Sequence, residues 1–264
     1  MNGIREVERP RTPSWIEPVL VGLILLVVVE AEWLSSVGGQ LSSLFLDAGV
    51  VFVSVNVYLF SPALPHRRVL LAILLLPLIR ILSLTIPSKA VPQLTWYAGI
   101  GIPLAAAVVL AIWAAQPPLS WVVGKGLLSL KQFLFGLLGI PLGLIMFRLS
   151  QPSPIPVQGN PVLVTMGIVI FILVTAVLEE FIFRYVLLNS LAEVYGGLGV
   201  WLAALIYASM FLGSRIQGGI IAPGLIGLAF SFWTSRTKSI WGVVLAHSIL
   251  NFLVFMVLPL SLHG

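Results

Sequence analysis

The sequence predicts an all-α fold: a polytopic bundle of transmembrane helices. Three observations carry this. The chain of 264 residues is 59% hydrophobic and only 9% charged, where a soluble domain carries about 25% charged residues. Its mean hydropathy is +1.10. Apolar runs recur along the whole length. No water-soluble fold could hide that much apolar surface, so the expected solvent, and first partner, is the lipid bilayer. The absence of cysteine removes disulfides, a thiol nucleophile and thiolate metal sites. The net charge of +5 is spread over short loops as topogenic charge is, which argues against a nucleic-acid partner.

A spanning helix needs about 20 mostly apolar residues, and about nine segments qualify: 18–37, 41–60, 69–86, 97–115, 127–149, 161–190, 198–213, 217–234 and 239–258. The segments 198–213 and 217–234 are short and glycine-rich. The first run follows a basic N-terminus without a small-residue cleavage site, so it reads as a retained helix. The stretch 151–161 has four prolines and no charge. It cannot continue a helix, and it divides the chain into an N-terminal bundle (1–150) and a C-terminal functional bundle (151–264). Trp33, Trp96, Trp113, Trp121 and Trp241 fall near the expected interfaces, where indoles anchor helices in the headgroup region.

Lysine and arginine in short loops set the orientation. Arg5, Arg9 and Arg11 precede the first segment, Arg67 and Arg68 follow the second, Lys125 precedes the fifth, and Arg236 and Lys238 precede the ninth. With nine spans all of these share one side. The other side holds only Lys89, Arg215 and Arg148. The expectation is a multi-pass protein of a bacterial inner membrane, with a cytoplasmic N-terminus.

Ionisable residues inside spans are costly and ask for a reason. Glu30, Glu32 and Asp47 fall near one predicted face, where snorkelling to water suffices. Arg80 lies deeper, with Asp47 as its expected partner. The C-terminal half differs. Glu179, Glu180 and Arg184 share one helix. Glu180 and Arg184 are four apart and can pair, which leaves Glu179 rotated by about 100°. Two adjacent carboxylates in a low-dielectric site do not both ionise cheaply. An arginine beside one of them frees the other for general-base work. His247 and Asn251 are also four apart, on the last helix. Of the three histidines only His247 lies inside a span. His66 falls in a loop and His263 beside the C-terminus. Glu179, about ten residues from a helix end placed near Asn189, and His247, about eight from Ser239, come to similar depths at about 1.5 Å per residue. A purely structural reading competes with this one: polar side chains also glue spans together.

At these residues the chain resembles the CPBP family (CAAX proteases and bacteriocin-processing enzymes, the ABI family of intramembrane proteases). The resemblance covers about 165–258. Its EExxxR motif is met by Glu179, Glu180 and Arg184, and its histidine with an asparagine four residues on by His247 and Asn251. The resemblance implies a membrane endopeptidase in which Glu179 activates water. His247 and Asn251 would hold the water or the oxyanion, and Glu180 with Arg184 would order the helix. Some accounts of the family add a divalent metal, for which Glu179 and His247 would be the candidate ligands here.

The middle motif, FxxxH, is not met. Aligning Tyr207 with its phenylalanine puts Phe211 where the histidine belongs, and no histidine occurs from 185 to 246. Phenylalanine can neither ligate a metal nor hydrogen-bond a reacting oxygen. Two functions therefore stand. The first is an inactive or impaired homologue, acting as a binding or scaffold subunit for a membrane protein or peptide in a membrane complex. The second is an active glutamate-dependent endopeptidase cleaving a membrane-associated peptide or protein. A transporter lacks support, since no paired inverted repeats with broken helices are evident.

Overall fold

A computed structural model of the chain describes residues 15–61, 64, 66–87, 90–123, 129–152, 160–212 and 219–259. Arg5, Arg9, Arg11, Lys89, Lys125, Arg215, His263 and most of the proline-rich stretch lie outside the described residues. Among the described residues every regular element is helical. That is the economical answer for apolar runs without water, because a helix satisfies its own backbone.

The helices are α1 (Ile16–Ser36), α2 (Gln40–Phe60), α3 (Val69–Thr85), α4 (Gln93–Ala115), α5 (Leu130–Ser150), α6 (Pro161–Tyr195), α7 (Leu198–Ser209), α8 (Ile221–Thr237) and α9 (Trp241–Val257). Each expected segment is thus helical. Five of them, α1, α2, α4, α5 and α6, are long and apolar enough to cross a membrane. Outward-facing apolar side chains such as Phe45, Phe52 and Ile102 lie about seven-tenths exposed, as lipid-facing residues would.

Local sequence explains the irregularities. α3 breaks at Leu74 and α5 at Leu137–Leu138. Pro77 and Pro141 stand three or four residues later. Each lacks the N–H that would bond the carbonyl four residues back, and its ring crowds that carbonyl. α6 opens with Pro161 at its first position, and Asn160 Oδ1 accepts from the Val162 and Leu163 amides at 3.0 and 3.2 Å. This is a side-chain cap on otherwise orphaned donors. α6 does not end near Asn189 as expected. It runs to Tyr195, where Gly196 takes a positive φ of 57°.

Two features hold α9, the histidine helix, in place. Gly139 on α5 faces the Ala246 carbonyl so closely that a Cβ there would overlap backbone. Small residues at a helix interface permit such an approach. Buried Gln132 presents Oε1 to Gly242 N–H at 2.8 Å and to Trp233 Nε1–H at 3.0 Å, tying α5, α8 and the first turn of α9 together. The main core joins both halves of the chain: Leu70, Ile73 and Leu76 of α3 belong to one cluster with Ile182, Val186 and Leu187 of α6.

The polar residues of the N-terminal half are partnered differently from expectation. Arg80 Nε and Nη2 donate to the two oxygens of Glu32, not to Asp47. Asp47 instead accepts from Ser43 Oγ at 3.5 Å. A helix offers an acid its i−4 hydroxyl before any interhelical partner, and α1 carries Glu32 to Arg80.

Candidate active site

The site forms where the middle of α6 meets the middle of α9. Along α6, wide π-type turns at Ile170–Val177 and Phe181–Leu187 flank Leu178–Glu180. Such turns are rare and gather at functional sites.

The two adjacent carboxylates have different surroundings. Glu180 is fully buried, while the Glu179 side chain keeps 33% of its surface open toward a cavity. Glu180 Oε1 lies 2.6 Å from His247 Nδ1, and Glu180 Oε2 lies 3.2 Å from Arg184 Nε. The second contact is an ion pair without hydrogen-bond alignment, and the three guanidinium nitrogens have no hydrogen-bond partner. Arg184 is held instead by aromatic faces: its Cζ lies 4.2 Å from the Tyr207 ring centroid, 5.5 Å from Phe230 and 5.8 Å from Phe183. Cation–π attraction is strongest in such a desolvated setting.

With Glu180 paired to an arginine, it is an acceptor, so His247 Nδ1 carries the proton it shares with Glu180. The other ring nitrogen, Nε2, then faces Glu179 Oε2 across 3.9 Å. That gap is too long for a direct hydrogen bond and suits a bridging water. Asn251 Nδ2 donates to Thr175 Oγ1 at 2.9 Å, and the Thr175 hydroxyl donates to the Phe171 carbonyl at 2.6 Å. Glu179, His247 and Asn251 line one cavity of ≈ 300 Å³ with Thr175, Tyr207 and Phe211. A neighbouring cavity of ≈ 260 Å³ shares Tyr97, Thr175, Glu179, Tyr207 and Phe211 and extends to Arg80 and Trp96.

The expected set, Glu179, Glu180, Arg184, His247 and Asn251, is therefore gathered at one place. Phe211 stands in the same wall, its ring 5.2 Å from that of Tyr207 in an edge-on contact. Sequence reasoning missed Thr175 and Tyr97. Thr175 had a signal, since it precedes Glu179 by four residues on the same helix face. Tyr97 had none, because only the packing of α4 on α6 brings it in.

Residues 161–253 match the family model described as Rce1-like, type II CAAX prenyl endopeptidase. This stretch, about a third of the chain, is similar to the CPBP family that its motifs resemble. No curated protein and no solved structure matches the chain. The Rce1-like region thus spans the helices that carry both motifs, and the two elements that meet at the site, α6 and α9, lie within it or at its edge.

The donors do not fit a bound metal. Glu180 and His247 Nδ1 are committed to each other and to Arg184. Of the described acidic and imidazole groups in the cavity, Glu179 and His247 Nε2 remain, and the Phe211 side chain offers no lone pair. Among the described residues no three acidic, histidine or cysteine side chains are arranged to hold a metal ion. A catalytic zinc ordinarily takes three protein ligands.

Proposed function

We propose that the chain is an impaired member of this family of membrane endopeptidases, one whose cleft retains a membrane peptide segment with little or no turnover. One observation carries the reading: Phe211 and Tyr207 line the cavity into which Glu179 opens, and His247 is the one imidazole among its described lining residues. A water beside Glu179 there has one imidazole, not two, to hold it. Loss of one such donor costs on the order of 10²–10³ in rate. The apolar walls suit an unwound apolar stretch, which a binding or scaffold subunit of a membrane complex would hold.

In this proposal residues 151–264 form the functional bundle and residues 1–150 support it. The membrane is a bacterial inner membrane with the N-terminus cytoplasmic. The experiment compares newly formed protein N-termini in membranes from cells carrying the wild-type chain, Glu179→Gln, or no copy. The expected outcome is that wild type and Glu179→Gln give the same termini at equal abundance. A terminus made by wild type and absent with an equally abundant Glu179→Gln chain overturns it.

A second reading, an active glutamate-dependent endopeptidase, is favoured by the 3.9 Å gap between Glu179 and His247, which is dimensioned for a water. Glu179 would take the proton of that water as it attacks a peptide carbonyl, and Asn251 would face the developing oxyanion. The same comparison of termini separates the two readings.

A further inference from the structure

A groove of ≈ 670 Å³ lies on the outer side of α7 and α8, lined by neither Glu179 nor His247. Its apolar wall includes Trp201, Leu225 and Phe232, which are 61%, 63% and 52% exposed. At one end stand Arg236 and Lys238, and among the described residues no carboxylate lines it. The nearest acid in sequence to its α6 margin, Glu193, is exposed but not part of the wall.

The two cations are pre-positioned by aromatic rings. Arg236 Cζ lies 4.8 Å from the Phe232 ring centroid, and Lys238 Nζ lies 4.8 Å from that of Trp121. Among the described residues neither forms an ion pair. Their level in the bilayer follows from the neighbouring indoles. Ile240 N–H donates to the Trp121 carbonyl, and Trp241 Nε1 donates to the Val122 carbonyl at 2.7 Å. Tryptophans of this kind mark the headgroup layer. With Arg236 and Lys238 at headgroup level, the apolar wall of the groove would lie against the hydrocarbon.

We propose that this groove binds one anionic phospholipid, an acyl chain along Trp201, Leu225 and Phe232 and the phosphate between Arg236 and Lys238. Charge complementarity commits the occupant. A guanidinium and an ammonium without a carboxylate attract an anionic headgroup, and guanidinium geometry matches phosphate oxygens. A second groove of ≈ 830 Å³, beside Phe133 and Trp241, has no cation among its described lining residues.

The test is native mass spectrometry and thermal unfolding of the full chain in detergent, with phosphatidylglycerol or phosphatidylcholine of identical acyl chains. The expected result is one phosphatidylglycerol retained about thirtyfold better than phosphatidylcholine, with a higher unfolding midpoint. The double variant Arg236→Gln/Lys238→Gln loses that preference and keeps its midpoint in phosphatidylcholine. Ala229→Trp, which fills the groove without altering charge, displaces the lipid. Arg148→Gln, an exposed cation on another helix, leaves the preference intact. Equal retention of the two lipids by wild type overturns the proposal. So does a preference that survives the double variant, or one abolished equally by Arg148→Gln. Inorganic phosphate reproducing the whole shift would mean a free-anion site and would likewise overturn it.

Discussion

Arg184 is fully buried with no hydrogen bond to its nitrogens, and two things tolerate that. The Glu180 carboxylate neutralises it, and the Tyr207, Phe230 and Phe183 rings replace part of its hydration. Breaking a buried pair leaves an uncompensated charge, at about 3–5 kcal/mol, whereas replacing both partners is close to neutral. Arg184→Met alone should therefore lower the unfolding midpoint in detergent sharply. Glu180→Gln/Arg184→Met should recover most of the loss, since a glutamine oxygen still accepts from His247 Nδ1. A double variant as unstable as the single one would show that the rings, not the charge pair, hold this region. Phe211 invites the opposite experiment. Phe211→His restores a donor in the wall beside Glu179, and newly formed termini should rise on the order of 10²-fold over wild type. The gain must vanish in Phe211→His/Glu179→Gln; a gain that persists there is not hydrolysis by this site. The motif residues were legible because charged and imidazole side chains stand out in apolar runs. The partner of Arg80 was not, because choosing between Glu32 and Asp47 depends on which helices touch.

At the scale of elements, α5 and α9 determine whether Glu179 and His247 meet. The approach of Gly139 to the Ala246 backbone leaves no room for a side chain one residue from the histidine. Gly139→Leu should push α9 outward and destabilise the bundle, as overpacking does. Gln132→Ala acts differently. It leaves the Gly242 amide and the Trp233 indole N–H without their acceptor, at about 1–3 kcal/mol for a buried unpaired donor. Thermal unfolding should report both losses, and an unchanged midpoint for Gln132→Ala would mean that water replaces the amide. Helix existence was legible from runs of apolar residues; the breaks in α3 and α5 were not expected, though Pro77 and Pro141 carry their signal. The π turns around Glu179 were not, since hydrogen-bond register inside a helix follows packing rather than apolar periodicity. The true end of α6 had a sequence signal in Gly196–Gly197. The polar run from Asn189 to Glu193 obscured it, because polar residues also end a span without ending the helix.

At the scale of the whole molecule, a set of contacts far apart in sequence fixes which helix ends lie together. Glu17, at the start of α1, accepts from the His66 amide at 2.7 Å and sits 3.0 Å from its Nδ1. The Tyr195 hydroxyl, at the end of α6, donates to the Pro18 carbonyl. Trp241 of α9 donates to the Val122 carbonyl after α4. The start of α1 thus lies with the loop between α2 and α3 and with the end of α6, the segment after α4 lies with the start of α9, and Gly196 and Lys238, which line one groove, bring the two groups together. Those are the places that alternating crossings would put on one side, and they include Arg67, Arg68, Arg236 and Lys238. In the proposed topology that basic side is the cytoplasmic one, as the positive-inside rule expects. The chain has no cysteine, so single cysteines report sidedness without background. A membrane-impermeant thiol reagent applied to right-side-out vesicles should spare cysteines at Arg68 and Arg236 and label one at Gly38. Inverted vesicles should reverse the pattern. Labelling of Arg68 and Arg236 from opposite faces would mean that one of the short helices, α7 or α8 foremost, does not cross. The cationic end of the lipid groove would then lie outside, and the orientation of the site would have to be redrawn.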